Sequence, residues 1–202
     1  MLLFRSLTFR TCHPRCTSYV FIGIVVIGTV LWFPVQSQNL VVNGSFSEGT
    51  TGWDSLLVVN PAQATKTVSD GIYRISIASA GSEPWHVQLK QHGIDLDSGQ
   101  VYRFSFEARA AAARVIEASI GMDNGPYTLY TPASQTRFTL GTELRTFELI
   151  FRMNYASDTN ARVQFNCAMA AVDVFITNVR VEKIPGPIIM LMSPVGNEAW
   201  GG

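Results

Sequence analysis

The chain has 202 residues, of which 47% are apolar and 15% charged, with 15 basic side chains against 15 acidic ones and a formal net charge of +0 at pH 7. That length holds one ordinary domain of roughly 100–150 residues plus appendages. The balanced charge excludes a basic field for nucleic acid and an acidic tail.

At the start of the chain Arg5, Arg10 and Arg15 precede an apolar run from Tyr19 to Phe33, which breaks at Pro34 and is followed by the small residue Ser37. This is the layout of a secretory signal peptide, with cleavage expected after Ser37. Residues 1–37 are therefore set aside as a leader, and the rest is expected to be secreted or on the cell surface, away from the membrane once the leader is cleaved. An uncleaved anchor is the alternative, but the run is shorter than the roughly 20 residues that span a bilayer. Cys12 and Cys16 lie in the leader, which leaves Cys167 without an intramolecular disulfide partner. Cys12, His13 and Cys16 have no second pair of ligands to complete a metal site, and Cys167 lies in an apolar phase that suits a buried small hydrophobe.

From Asn39 onward the pattern is one of short strands. YRISIA, HVQLKQ, VYRFSFEARA, VIEASIGM, RTFELIFRM, RVQFNCAM and VDVFITNVRVEKI alternate β-branched or aromatic residues with others. The segments SDG, LDSG, DNGP and SDTN are turn formers. The series predicts an all-β domain, a sandwich or a barrel, over residues 39–184. The alanines from Ala108 to Ala113 read as a strand end and a tight connection.

Successive side chains of a strand point to opposite faces. The core set is then Tyr102, Phe104, Phe106 and Ala108 on one strand, Phe147, Leu149, Phe151 and Met153 on another, and Val163, Phe165 and Cys167 on a third. The same rule puts Arg162, Gln164 and Asn166 together on the opposite face, and turns His86, Gln88 and Lys90 away from Val87 and Leu89. Beyond the last strand, Pro185, Gly186 and Pro187 read as a linker, and Ile189 to Trp200 resembles the opening of an immunoglobulin-like repeat. Residues 185–202 are thus expected to begin a further, truncated domain, so that the sandwich is a monomeric module within a larger chain.

NLVVNGSFSEGTTGW, DGIYRISI, WHVQLKQHGIDLDSGQVYRFSFEARA, ARVQFN and FITNVRVEKI, in that order, resemble the carbohydrate-binding modules of families 4 and 9, which often accompany cellulases, xylanases and laminarinases. The resemblance spans about Asn39 to Ile184 and implies a jelly-roll β-sandwich of two antiparallel sheets with a cleft on the concave face. It implies a noncatalytic module that binds a polysaccharide or oligosaccharide and brings a secreted glycoside hydrolase or surface protein to a plant-type or β-glucan polymer. Sugar rings offer hydroxyls at their edges and C–H groups on their faces, so amide or charged side chains and aromatic rings are the chemistry required.

Carried over by position, the expected carbohydrate contacts are Gln88, Lys90, Glu117, Tyr127, Arg162 and Asn166; Gln164 joins them because it shares the face of Arg162 and Asn166, and Trp85 as a further ring for stacking. Glu117 stands where a family 4 relative has arginine, Arg162 and Asn166 where it has glutamines, and Leu56 where it has a tyrosine, so the identity of the glycan does not transfer. The family also implies one structural calcium ion, and the matching positions are Ser45, Asp70, Gly71 and Asn178. Asn178 offers a neutral amide where the family has aspartate, whereas calcium favours carboxylates and carbonyl oxygens.

Other readings weigh against these. Trp53 reads as a core residue, Trp85 as a partly buried one, and Tyr127 and Tyr130 as residues that flank the cleft or simply stand on a loop. Glu107, Glu117 and Glu148 are not fixed as the carboxylate pair that glycoside hydrolysis needs. His86 and His92 lack a nucleophile or metal-ligand arrangement, so no catalytic residue is expected. The rival to glycan binding is a structural or adhesive sandwich of a multidomain surface protein, whose concave face would be filled by its own side chains.

Overall fold

A computed structural model describes residues 37–185. The expected leader, apart from Ser37, and the expected linker and following repeat, apart from Pro185, lie outside the described residues. Ten strands follow one another: β1 (Leu57–Val58), β2 (Gln63–Ser69), β3 (Ile72–Ser79), β4 (Val87–Leu96), β5 (Val101–Ala110), β6 (Arg114–Met122), β7 (Arg137–Leu140), β8 (Arg145–Arg152), β9 (Asp158–Asn166) and β10 (Val174–Lys183). They form two five-stranded sheets, ordered β1-β4-β9-β6-β7 and β2-β3-β10-β5-β8. Every pairing is antiparallel, and this is the two-sheet sandwich that the resemblance implies, one of the two all-β architectures the alternation leaves open.

The core lies where the apolar phases of the two sheets meet. Tyr102, Phe104, Phe106 and Ala108 of β5 are buried against Val163 and Phe165 of β9, and Cys167 follows in the same phase. Phe165 meets Phe106 edge to face at 5.0 Å between ring centres and Phe104 at 6.0 Å, geometries that aromatic rings favour. Trp53 is buried as expected, tilted against Phe46 at 4.9 Å, with its Nε1 donating to the Asn43 carbonyl. Burial pushes the Cys167 thiol up to about 12, which keeps it protonated and inert.

The turns follow local chemistry. Asp70 and Gly71 join β2 to β3 with φ of 53° and 73°, the left-handed pair that a two-residue hairpin turn requires. SDTN is read differently by the structure: β9 begins at Asp158, whose carboxylate accepts the Asn160 N–H at 2.8 Å, so only Ser157 belongs to the preceding turn. The edge strands β1, β2 and β7 were not among the predicted strands, because LV and RFTL are very short and QATKTVS carries few apolar residues.

One buried cation sets up the cleft end of the sandwich. The buried Arg114 guanidinium donates to the carbonyls of Ala170 at 3.0 Å, Val172 at 2.6 Å and Cys167, and fixes the segment after β9. That segment in turn holds the 3-10 turn Pro84–His86, through Ala168 N–H to the Pro84 carbonyl and Cys167 N–H to the Val87 carbonyl. In the other sheet the first and last described segments lie side by side, with Asn39 bridged to Glu182 of β10 and Ser37 Oγ donating to the Lys183 carbonyl at 2.6 Å.

Replacing Phe165 by Ala removes the ring that joins the two sheets. Urea unfolding should show a loss of about 3–5 kcal/mol, the usual cost of truncating a buried phenylalanine.

Candidate functional site

Antiparallel register assembles the outward face of the β4-β9-β6 sheet. Gln88 stands opposite Asn166, and Asn166 opposite Glu117. Lys90 stands opposite Gln164, and Gln164 opposite Ser119, while Arg162 is paired with Gly121. The row is knit by side-chain hydrogen bonds. Gln88 Nε2 donates to Asn166 Oδ1 at 2.8 Å and to Gln164 Oε1 at 3.3 Å, and Gln164 Nε2 donates to Ser119 Oγ at 2.9 Å.

Over this floor runs a cleft of about 900 Å³, lined among others by Leu56, Leu57, Trp85, Gln88, Lys90, Tyr127, Arg162, Gln164 and Asn166. Trp85 and Tyr127 are 45% and 58% exposed, so two aromatic rings face solvent in one groove. Trp85 was expected to be partly buried in phase with Val87. It lies instead in the 3-10 turn before β4, edge-on to His86 at 4.5 Å.

Tyr127 reaches the cleft because Gly121 lets the following segment fold back. A Cβ at Gly121 would stand 2.6 Å from the Thr128 carbonyl oxygen, and Leu129 is bridged to Gly121 itself. The returning segment places the Tyr127 ring 5.0 Å from the Arg162 guanidinium, within cation–π range.

The charges in the cleft are paired. Asp123 Oδ1 accepts from Lys90 Nζ at 2.8 Å and lies 3.8 Å from Arg162 Nη1. Lys90 Nζ is also 3.5 Å from Asp54 Oδ2, and His92 Nδ1 is 3.0 Å from Asp54 Oδ1. Burial by itself would raise the Asp123 carboxyl, but the hydrogen bond from Lys90 and the positive charges of Lys90 and Arg162 outweigh it and hold the group below the ordinary 3.8. Burial also lowers the Arg162 guanidinium, an effect that Asp123 opposes.

The structure thus brings seven of the eight expected contact residues to one cleft and leaves Glu117 outside it. Glu117 lines a neighbouring groove of about 130 Å³ with Arg137 and Met169. Tyr130 is buried away from the cleft, with its hydroxyl donating to Asp158 Oδ2 at 2.7 Å. Asp54 and Asp123 line the cleft and were not anticipated; Asp123 reads from sequence as part of the DNGP turn. Glu107 and Glu148 are on β5 and β8 of the other sheet, bound to Asn178 and Arg103, and face no carboxylate across the cleft.

The four positions implied for calcium also converge in part. The Ser45 carbonyl oxygen lies 2.9 Å from where a Gly71 Cβ would stand, and Thr177 Oγ1 donates to the Gly71 carbonyl at 2.6 Å. Asn178 Nδ2 donates to Glu107 Oε2 at 3.1 Å, and Asp70 Oδ2 accepts from Ser69 Oγ at 2.9 Å. The Gly71 carbonyl thus accepts a hydroxyl, and the Asn178 amide nitrogen donates to a carboxylate. Among the described residues no three His, Cys, Asp or Glu side chains come together. Of the four positions only Asp70 carries a carboxylate, whereas calcium draws six to eight oxygens with carboxylates among them.

Comparison with known proteins bears on the same region. Residues 38–171 match the family model described as a carbohydrate binding domain of families 4 and 9. A cellulose 1,4-beta-cellobiosidase of Acetivibrio thermocellus is 31% identical over 96 residues, which is 46% of this chain and 11% of that protein. This chain therefore spans only a small part of that curated relative. Among solved structures, a CBM4 domain superposes with a TM-score of 0.63 at 25% identity, covering 71% of this chain and 99% of the other. The second N-terminal cellulose-binding domain of Cellulomonas fimi beta-1,4-glucanase C shares the fold at a TM-score of 0.60 and 22% identity, covering 74% and 97%.

Asp123 is the joint of the charged cluster, and its lowered carboxyl gives a pH signature. A carboxylate whose folded value lies below its unfolded one stabilises fully above the ordinary 3.8, and loses that contribution as pH falls through the folded value. The Asp123→Asn variant should be less stable than the parent at neutral pH. Urea titrations repeated toward acid should show the gap begin to narrow below about pH 4 and vanish only as pH falls through the lower folded value, where the parent carboxylate is protonated.

Proposed function

Because this chain belongs to the family of carbohydrate binding domains of families 4 and 9, and is a noncatalytic glycan-binding module, we propose that the cleft over β4, β9 and β6 holds a single β-glucan or plant-type polysaccharide chain. Trp85 and Tyr127 stack on sugar faces, while Gln88, Lys90, Gln164 and Asn166 meet the hydroxyls. Arg162, paired with Asp123, lies against the Tyr127 ring. The observation that carries this reading is the pair of exposed rings above an ordered row of amides in one open groove.

The polymer class draws support from the names of the relatives, a cellobiosidase and a cellulose-binding domain. The charges in the cleft agree with a neutral chain, since Lys90 and Arg162 both already face carboxylates. On the same grounds the chain is read as an extracellular module that raises the local concentration of an attached domain on its polymer. The rival reading, an adhesive sandwich without a sugar site, calls for a face closed by its own side chains. Here the floor is hydrogen-bonded within itself, yet about 900 Å³ stands open above it, which favours a ligand.

Affinity electrophoresis on gels containing barley β-glucan, xylan or hydroxyethyl cellulose tests the proposal. Retarded migration on at least one is expected, and unretarded migration on all three overturns it. On the retarding polymer, Trp85→Ala and Tyr127→Ala should each weaken binding by about tenfold, as expected when one stacking ring is lost.

A further inference from the structure

Three aromatic side chains are highly exposed among the described residues: Trp85, Tyr127 and Tyr155. The first two line the cleft. Tyr155, 48% exposed, lies in a second groove of about 420 Å³ that shares no lining residue with the cleft. This groove runs between the turn joining β8 to β9 and the segment Leu129–Ala133, and besides Tyr155 its exposed polar side chains are Arg152 and Asn154.

The Tyr155 ring is supported in the manner of the two cleft rings. Trp85 rests on His86 and Tyr127 on Arg162, and Tyr155 rests on the buried Tyr130 at 5.3 Å between centres and an interplanar angle of 43°. Tyr130 is itself fixed, because its hydroxyl donates to Asp158 Oδ2 at 2.7 Å. Asp158 Oδ1 accepts from the Asn160 N–H at 2.8 Å, so one carboxylate locks both the supporting ring and the start of β9 beside Tyr155.

The polar groups remain available. Arg152 Nη1 makes one contact, to the Gly99 carbonyl at 3.2 Å, and Arg152 forms no ion pair among the described residues. The Asn154 side chain makes no hydrogen bond among the described residues and is exposed at the rim. A preset aromatic face flanked by a guanidinium and an amide is the chemistry that suits a sugar ring and its hydroxyls.

We infer that the Tyr155 groove is a second carbohydrate site, taking one or two sugar units of a chain, with Tyr155 as the stacking platform and Arg152 and Asn154 as hydroxyl ligands. It rests on the reading of the protein as a glycan binder. Its volume, less than half that of the cleft, confines it to a short stretch or a chain end. Two sites on one module give a polymer two points of attachment and raise the avidity of the whole.

The test is a titration of the 15N-labelled full chain with cellohexaose, xylohexaose and laminarihexaose, read by amide shifts. With at least one of them, two separate groups of amides should move, one around Gln88 and Tyr127 and one from Asn154 to Asp158. In Tyr155→Ala the second group should bind about tenfold more weakly or stop moving, and Tyr155→Phe, which keeps the ring, should restore it. If the cleft amides move with a sugar while the Asn154–Asp158 group stays still with all three, the second site falls and the cleft stands. If no amide moves with any of them, both readings fall together.

Discussion

Strand β9 carries the constraint on which the domain depends. It is the middle strand of its sheet, flanked by β4 and β6, so neither of its faces is free to be neutral. Val163 and Phe165 turn into the core, and Phe165 touches aromatic rings of the opposite sheet. Arg162, Gln164 and Asn166 turn the other way and form the floor of the cleft. A slip of one residue in the register would exchange these sets and destroy core and site at once. The packing that secures Phe165 therefore also secures Gln164.

The floor achieves order through its own hydrogen bonds. Gln88, Gln164, Asn166 and Ser119 each fix a neighbour, and Lys90, Asp123 and Arg162 do the same with charge. Side chains already held in place lose little freedom when a ligand arrives. The edges of the cleft depend on backbone devices instead. The absent side chain of Gly121 admits the loop that presents Tyr127, and Arg114 steadies the segment that supports the turn bearing Trp85. The floor is built from strands and the walls from turns, which is why they answer to different parts of the sequence.

The same division decides how much was legible. Alternation placed Phe104, Phe106, Phe151 and Phe165 inward and Gln88, Gln164 and Asn166 outward, because a strand leaves a side chain only two directions. Resemblance added Tyr127, which no periodicity could have assigned. Asp123 escaped because its meaning comes from Lys90, 33 positions earlier, and a turn aspartate announces no distant partner. Glu117 shares the phase of the floor residues, but its position one strand over, against Arg137, sets it in another groove. Tyr130 seemed a loop residue beside Tyr127, whereas the hydrogen bond to Asp158 draws it inside. The edge strands β1, β2 and β7 were missed for a related reason, since strands at the rim of a sheet need little apolar surface to stay paired.

The meeting of the first and last segments has a mechanical consequence. Asn39 is bridged antiparallel to Glu182, and Ser37 lies against Lys183, so the two ends of the described domain leave from one corner. Tension across those ends would pull the paired segments apart like a zipper, loading the contacts in succession rather than shearing them all together. A module tugged at both ends would begin to yield at this corner. The core between Phe106 and Phe165, and the groove above it, would feel the strain last.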